Sequence, residues 1–203
     1  MLFKATNTIT HSAIARVSVR EYFFKMKNWK TIKSKVVFQC PYFKIIEEYF
    51  LTSSGKKYRY HIMKRGDYVV VVAKEKNYFY LVKLYRYTTK SRAPEFVAGS
   101  VEKNETPLQA AKKELREEAG ITAKKIKKIG WYYAYRGTSD HKAYIFLAED
   151  LRFDEQELED LEREGGMKVE KFKISEVEEM IRSGKIKDVD TIAVFNIFRL
   201  KCK

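Results

Sequence analysis

Three carboxylates crowd one turn of a predicted helix. Glu114, Glu117 and Glu118 lie within the stretch AGSVEKNETPLQAAKKELREEAGI at residues 98–121. Side chains three and four positions apart are neighbours on a helix, and like charges at that spacing destabilise it. A hard divalent cation makes the same crowding favourable, because Mg²⁺ takes oxygen ligands and keeps several of its waters. Taken alone, the E-x-x-E-E pattern fits either a solvated helix face or a divalent-metal site.

The helix that carries these carboxylates has recognisable ends in the sequence. Thr106 is predicted as its N-cap, Pro107 as its first residue, and Gln109 as the partner that completes a T-x-x-Q capping box. Gly120 is placed to end the helix. An apolar stripe at helical spacing is expected to pack the helix on a sheet, with the carboxylates emerging along one edge. The members of this stripe are Leu108, Ala111, Leu115 and Ala119.

The spacing of the whole stretch is that of the Nudix box: Gly, five residues, Glu, seven residues, then Arg-Glu-apolar-any-Glu-Glu-any-Gly-apolar. Here it reads Gly99, Glu105 and then KELREEAGI at residues 113–121. Six fixed Gly or Glu positions would match by chance about once in 10⁷ starts, at roughly 7% for each residue type. The chain therefore resembles the Nudix hydrolases. The resemblance implies structural roles in the motif for Gly99, Glu105, Lys113 and Gly120.

The resemblance also implies which groups hold metal. It assigns metal ligation to Glu114, Glu117 and Glu118, with the backbone carbonyl of Ala98 as a further ligand. Mg²⁺ is the expected cofactor, with Mn²⁺ as an alternative, and the ions would bridge diphosphate oxygens and activate a water. Lys113 stands where the family has Arg, and an ammonium cannot give the two-pronged grip of a guanidinium. Pairing of Lys113 with Glu117 is expected to remain available, in a site held less firmly.

Beyond the box, residues 36–200 are most similar to the ADP-ribose pyrophosphatase branch. Leu84-Tyr85-Arg86 stands in the place of a Gln-Tyr-Arg strand end, and PEFVAG resembles W-E-x-P-A-G. Arg86 and Glu95 are therefore candidate substrate-binding residues. Arg136 and Gly137 replace a proline of the substrate-selecting loop, so Arg136 could meet an additional phosphate.

Enzymes of this branch use a Glu on a loop after the box as general base, which takes a proton from the attacking water. Glu162 and Glu164 fall in that region, and Glu164 is preferred. Glu118 joins them as a candidate catalytic residue.

Further side chains are assigned less specific roles. Trp131, Tyr133 and Tyr135 could stack on a base, although alternating aromatic residues in a strand are more often core. His61 and His141 have no recognisable partner and are expected to be surface or strand residues.

The elements that must position these groups follow from hydrophobic patterning. Strands are predicted within residues 35–85, at EFVAG, and at 124–135, 142–149 and 168–174, with helices at 107–119, 175–184 and 188–200. Ser175 is the expected cap of the second helix, and the acidic run at 154–164 is taken as mostly solvated. Together they predict an α+β Nudix fold, a mixed β-sheet sandwiched between helices, with an N-terminal β extension. Residues 1–34 are interpreted as an arm, 35–66 as strands available for dimerisation, and 67–203 as the hydrolase domain.

Composition limits the partners and the compartment. The 203 residues hold 41 Lys and Arg against 27 Asp and Glu, a formal charge of +14, which favours polyanionic partners or a Lys-rich solvated surface. Cys40 and Cys202 suggest neither a disulfide framework nor a zinc site, so a cytoplasmic setting is expected. Residues 1–33 also fit an organelle transit peptide, as a minor alternative. No apolar run is long enough to span a membrane.

The sequence thus predicts a metal-dependent pyrophosphohydrolase that cleaves a nucleoside diphosphate linked to another moiety. ADP-ribose, giving AMP and ribose 5-phosphate, is the first candidate. Hydrolysis of a dinucleoside polyphosphate or an RNA 5′ end is an alternative favoured by the charge and the missing proline. A non-catalytic Nudix-fold module that binds a nucleotide or RNA is the other alternative. By resemblance, a homodimer through the N-terminal strands is expected.

Overall fold

The computed structural model describes residues 29–202. The arm predicted for residues 1–34 and the transit peptide considered for 1–33 therefore lie mostly outside the described residues. The first strand, β1 (Lys30–Gln39), begins before the boundary predicted at residue 35. The N-terminal extension of strands is thus longer than the sequence indicated.

Three antiparallel strands form a separate N-terminal sheet in the order β1-β2-β3, with β2 at Lys44–Leu51 and β3 at Lys57–Lys64. The turn predicted at residues 52–57 joins β2 to β3, where Gly55 takes a φ of 77°. The backbone N–H of Met63, near the end of β3, donates to the carbonyl of Thr138 at 2.8 Å. Every residue of β1 is exposed, so this edge of the sheet faces solvent in the monomer.

A seven-stranded mixed sheet forms the centre of the protein. Its strands are β4 (Tyr68–Glu75), β5 (Tyr78–Arg86), β6 (Ser91–Glu95), β7 (Val97–Ser100), β8 (Ile121–Tyr133), β9 (Lys142–Phe153) and β10 (Lys168–Lys173). The main path runs β10-β5-β4-β9-β8, with β6 paired to β5 and β7 to β4. The β4–β9 pair is parallel and the other pairs are antiparallel.

Helices cover both faces of this sheet. They are α1 (Pro107–Ala119), α2 (Asp160–Glu164), α3 (Ile174–Arg182) and α4 (Val189–Lys201). Strand β4 is buried on both sides: Val69 and Val71 pack with Leu115 of α1, whereas Val70 and Val72 pack with residues of α3 and α4. This arrangement explains the continuous apolar run of β4. The predicted α+β fold, with its mixed sheet between helices and its N-terminal β extension, is confirmed.

Two local predictions need correction. Leu108 is 40% exposed, and Ala110 is the buried residue of that turn. The second predicted helix begins at Ile174 with Lys173 as N-cap, so Ser175 is not its cap. Most residues of the acidic run at 154–164 are exposed, as expected, and its end forms the short helix α2. Among the described residues, no helix has the length and hydropathy needed to cross a membrane.

Candidate active site

The ends of α1 are fixed as the sequence indicated. Thr106 and Gln109 form the reciprocal capping box, with the Gln109 amide donating to the Thr106 hydroxyl at 3.3 Å and the Thr106 amide to Gln109 Oε1 at 2.9 Å. Gly120 ends the helix in the left-handed conformation, with a φ of 62°. These local contacts set the start and end of α1, and so the direction in which its carboxylates point.

The glycines of the motif are required by close approaches. A Cβ placed on Gly99 would lie 2.0 Å from the carboxyl carbon of Glu114. The Glu114 side chain therefore lies directly over the backbone of β7, where only a glycine leaves room for it. At Gly120, a Cβ would lie 2.4 Å from the carbonyl oxygen of Asp154, in addition to the strain of the positive φ.

Glu118 turns inward and is buried. Its carboxylate accepts a hydrogen bond from the backbone N–H of Ala98 at 3.2 Å. Burial raises the pKa of Glu118 to about 8; the charges of Glu114 and Glu162 add to this shift, and the Ala98 hydrogen bond and Arg86 oppose it. The prediction that all three box carboxylates emerge along an exposed edge is therefore wrong for Glu118, which pairs with a strand amide twenty positions earlier in the chain.

Glu114 and Lys113 are coupled. The Lys113 ammonium lies 3.5 Å from Glu114 Oε1, so its ion pair is with its neighbour and not with Glu117 as expected. Burial raises the pKa of Glu114, an effect that Lys113 partly offsets. Partial burial opposes the charge on Lys113, but Glu114 and Glu105 outweigh it and raise its pKa. Glu105 also accepts from the backbone N–H of Glu102 at 3.0 Å, which places it in the turn before α1.

Glu117 is half-buried and accepts a hydrogen bond from Arg116 at 3.3 Å. Its backbone carbonyl accepts from the amide of Glu157 at 2.9 Å, which ties the acidic segment to α1. The segment thereby brings α2 close to the carboxylates.

Of the two candidate bases, Glu162 is the one that approaches the box. Its charge raises the pKa of both Glu114 and Glu118, and its side chain accepts from the Glu159 amide at 2.8 Å. Glu164 is exposed. Residues two apart on a helix point about 200° apart, so the two side chains face different directions.

Arg86 and Glu95 form a two-pronged ion pair, with Nη2–Oε2 at 2.6 Å and Nε–Oε1 at 3.1 Å. This contact raises the pKa of Arg86. Both residues line a cavity of about 670 Å³, which Ala98 also borders. Its volume lies within the range of small-molecule sites, about 300–1,000 Å³. Three further basic side chains and a tyrosine also line the cavity: Arg92, Lys185, Lys187 and Tyr135.

A smaller cavity of about 240 Å³ adjoins the first through Ala98, Tyr135 and Asp190. Asp190 accepts from the hydroxyls of Tyr68 at 2.8 Å and Tyr132 at 2.7 Å. Burial, followed by the charge of Asp190, raises the pKa of both tyrosines. This cluster holds the start of α4 against the sheet. Sequence reasoning missed Asp190, because its partners are 122 and 58 positions away.

Both histidines have partners; His61 is an exposed strand residue as expected, whereas His141 is buried and outside the strands. His141 is buried beside the small cavity, with Nδ1 at 2.6 Å from the hydroxyl of Ser139. Burial, followed by the charge of Arg65, lowers its pKa. His61 lies 3.3 Å from Glu47 in the N-terminal sheet.

The end of β8 and the turn that follows it present their aromatic residues outward. Trp131, Tyr133 and Tyr135 are all exposed, so the more frequent core placement does not apply. Tyr135 borders both cavities, whereas Arg136 lies exposed on the same turn and lines neither.

Comparison with known proteins identifies the family. The NUDIX domain model matches residues 63–192. The chain belongs to the Nudix family.

Two relatives and one solved structure extend this result. An ADP-ribose pyrophosphatase of Bacillus subtilis (strain 168) is 30% identical over 173 residues, which are 85% of this chain and 93% of the relative. A methanol dehydrogenase activator of Bacillus methanolicus is 26% identical over 145 residues, 68% of this chain and 78% of its own. The crystal structure of an ADP compounds hydrolase superposes with a TM-score of 0.75 at 19% identity, covering 85% of this chain and 92% of that one, and it supports the fold.

This Nudix hydrolase retains all the carboxylates of the box, as the sequence indicated, and Nudix hydrolases generally use divalent metal ions. Within residues 29–202, no three Asp, Glu, His or Cys side chains already converge as a complete metal shell. The donor set still fits a hard cation, because the charge of Glu162 raises the pKa of both Glu114 and Glu118, and the charge of Glu114 further raises the pKa of Glu118. Mg²⁺ commonly binds through one or two carboxylates, with waters and substrate phosphates completing its shell.

Proposed function

We propose that this Nudix hydrolase cleaves the diphosphate of a nucleoside diphosphate linked to another moiety, with ADP-ribose as the first substrate and AMP and ribose 5-phosphate as products. One observation carries the proposal. The Ala98 amide donates to the buried Glu118, and Ala98 also borders the cavity that Arg86 lines. Ala98 therefore lies between the proposed metal-binding carboxylates and the proposed phosphate-binding cations. The similarity to the ADP-ribose pyrophosphatase of Bacillus subtilis supports ADP-ribose as substrate.

The metal in this proposal is Mg²⁺, with Mn²⁺ as an alternative, held by Glu114, Glu117, Glu118 and the carbonyl of Ala98. A divalent cation bound there would neutralise diphosphate charge and acidify water. The Ala98 amide fixes one oxygen of Glu118 and leaves the other for a ligand. Gly99 lets Glu114 lie over the same strand.

Glu162 is proposed as the general base, in place of the Glu164 preferred from the sequence. It would take the proton of the attacking water while the water oxygen bonds to phosphorus and the bridging P–O bond breaks. The half-buried position of Glu162 near Glu114 and Glu118 supports this role. The exposed Glu164 faces away.

Arg86, aligned by Glu95, is proposed to hold the diphosphate, since a guanidinium offers parallel donors to phosphate oxygens. Lys185 and Lys187, which line the same cavity, would donate hydrogen bonds to the second phosphate of the diphosphate. Arg136 remains a proposed contact for an additional phosphate, from the exposed turn beside Tyr135.

Hydrolysis of an RNA 5′ end is kept as the second candidate because of one surface. Trp131 and Tyr133 are exposed on β8, and the Lys142 ammonium lies 5.3 Å from the Trp131 ring. Exposed aromatic rings flanked by cations suit single-stranded nucleic acid.

A homodimer through the N-terminal strands is also proposed. The exposed edge of β1 and the large apolar side chains there, including Trp29 and Phe38, support a partner on this sheet. Light scattering of the purified protein would measure the mass. A cytoplasmic setting completes the proposal, supported by two cysteines that are free in the described part of the chain.

A hydrolysis screen tests the proposed function. ADP-ribose, other sugar nucleotides, dinucleoside polyphosphates and capped RNA are compared under one Mg²⁺ condition and one Mn²⁺ condition, with identification of the products. AMP and ribose 5-phosphate from ADP-ribose, lost on chelation and in Glu117→Gln, are the expected result. A strong preference for capped RNA would favour the second candidate, and unchanged turnover in Glu117→Gln would contradict the metal assignment.

A further inference from the structure

A second basic cavity lies away from the carboxylates, on the other face of the sheet. Its volume is about 560 Å³, and its apolar floor includes Leu147 and Phe198, which belong to the α3–α4 side of the core. The cavity also lies at the opposite end of β4 from the carboxylates. Val69, near the start of β4, pairs with Gly99 of the box. Lys74, which lines the cavity, is five residues further along the strand, a distance of about 17 Å.

Cations from separate elements converge on this cavity. Lys74 comes from β4, Lys76 from the β4–β5 turn, Lys127 from β8, and Arg199 and Lys201 from α4. Within the described residues 29–202, two carboxylates form ion pairs with these groups, Glu149 with Lys74 at 3.3 Å and Glu178 with Arg199 at 2.5 Å. Five positive charges against two leave a local excess of three.

Lys76 and Lys127 carry the unneutralised part of that charge. No carboxylate within residues 29–202 lies within salt-bridge distance of either ammonium. Lys201 is held in place by its bond to the Ile129 carbonyl at 2.9 Å. Lysines on an edge strand such as β8 also prevent pairing with other strands. That explanation covers Lys127 but does not account for cations from the turn and from α4 around the same cavity.

We propose that this cavity is a binding site for the oligophosphate group of a small molecule. Lysine and arginine donors around a concave site match phosphate oxygens, and the volume suits a compact ligand. The apolar floor leaves room for an uncharged part of the ligand beside its phosphates. The site uses none of the residues assigned to hydrolysis, so it is independent of the proposed function.

Binding is measured by calorimetry with tripolyphosphate and with ATP, in EDTA and about 0.15 M salt, which screens weak surface attraction. The double variant Lys76→Gln/Lys127→Gln should weaken binding at least about tenfold, because each removed ammonium loses charge-assisted bonds to phosphate. Lys103→Gln/Lys112→Gln removes the same charge from exposed positions outside the cavity and should change affinity less than about twofold.

Cys202 reports the location, since it lines the cavity, whereas Cys40 lies by the N-terminal sheet. Both ligands should slow alkylation of Cys202 and leave the rate at Cys40 unchanged. Equal weakening in the two double variants, or equal protection of the two cysteines, would overturn the proposal. Protection by ATP without protection by tripolyphosphate would also overturn it, since phosphate would then not be the recognised group. EDTA keeps these results separate from metal-dependent hydrolysis.

Discussion

Replacing Glu118 by Gln should stabilise the metal-free protein while abolishing its activity. The carboxyl is buried and its pKa is raised from 4.5 to about 8. The folded state therefore binds more protons than the unfolded state between these values. The contribution of Glu118 to the free energy of unfolding is therefore largest below about pH 4.5, and it is lost as the pH rises to about 8.

The magnitude follows from the shift. At pH 7 the carboxyl is ionised in the unfolded state and mostly protonated in the folded state. Raising the pH from 4.5 to 7 therefore lowers the free energy of unfolding by up to about 3 kcal/mol, at 1.36 kcal/mol per pH unit. Gln cannot ionise and keeps an oxygen for the Ala98 amide. Glu118→Gln should therefore raise Tm at pH 7 in EDTA by roughly 5–10 °C, at about 2–4 °C per kcal/mol for a chain of this size.

Thermal unfolding in EDTA from pH 5 to 8.5 tests this expectation. The curves of wild type and Glu118→Gln should converge near pH 5 and separate as the pH rises. Glu117→Gln is the control, because it removes a charge from the neighbouring, half-buried position. Its free energy of unfolding should stay within about 0.5 kcal/mol of the wild-type value at each pH. Mg²⁺ at pH 8 should stabilise wild type more than Glu118→Gln. Parallel curves for wild type and Glu118→Gln would refute the reasoning.

Three further predictions concern the proposed catalytic cleft. Glu162→Gln should lower kcat about 100-fold, as expected for loss of a general base, with Glu164→Gln within about twofold; equal losses in steady-state assays would contradict the assignment. Gly99→Ala should lower kcat at least about tenfold, because the added methyl group displaces the Glu114 carboxylate. The free energy of unfolding should change by only about 1 kcal/mol, since the flexible end of Glu114 can move away. An unchanged kcat would contradict this role of Gly99. Arg86→Lys should raise KM about tenfold, since an ammonium cannot make two parallel bonds; an unchanged KM would remove Arg86 from the substrate site.

Local chemistry made α1 predictable. Its cap, its first residue and its terminal glycine act within a few positions of one another, so the sequence contains all the information that sets them. The need for Gly99 is visible in the motif spacing, but its cause, the contact with Glu114, appears only when α1 packs on β7. The same packing decides that Glu118 is buried, because its partner is a strand amide.

Long-range partners account for what the sequence did not predict. Asp190 joins two tyrosines from β4 and β8, and His141 packs against the ring of Tyr68 from β4 beside the small cavity. The choice between Glu162 and Glu164 as general base depends on which side chain of the short helix α2 faces the box. A pattern of residue types does not determine that direction, since no apolar periodicity fixes a helix of five residues.

The sign of the local charge explains why the cleft must bind a cation before it can bind a diphosphate. The chain carries a net charge of +14, which draws polyanions towards it. At the box, however, Glu114, Glu117 and Glu162 set three carboxylates against Lys113 and Arg116, and the buried Glu118 ionises only at a cost in stability, so an approaching diphosphate meets repulsion. In the proposed site, the cations of the adjoining cavity would hold the phosphates but leave the scissile bond beside those carboxylates. A divalent ion bound there would reverse the sign of the local charge and remove the cost of burying Glu118. Metal binding, stability and substrate binding would then be linked through the same side chains.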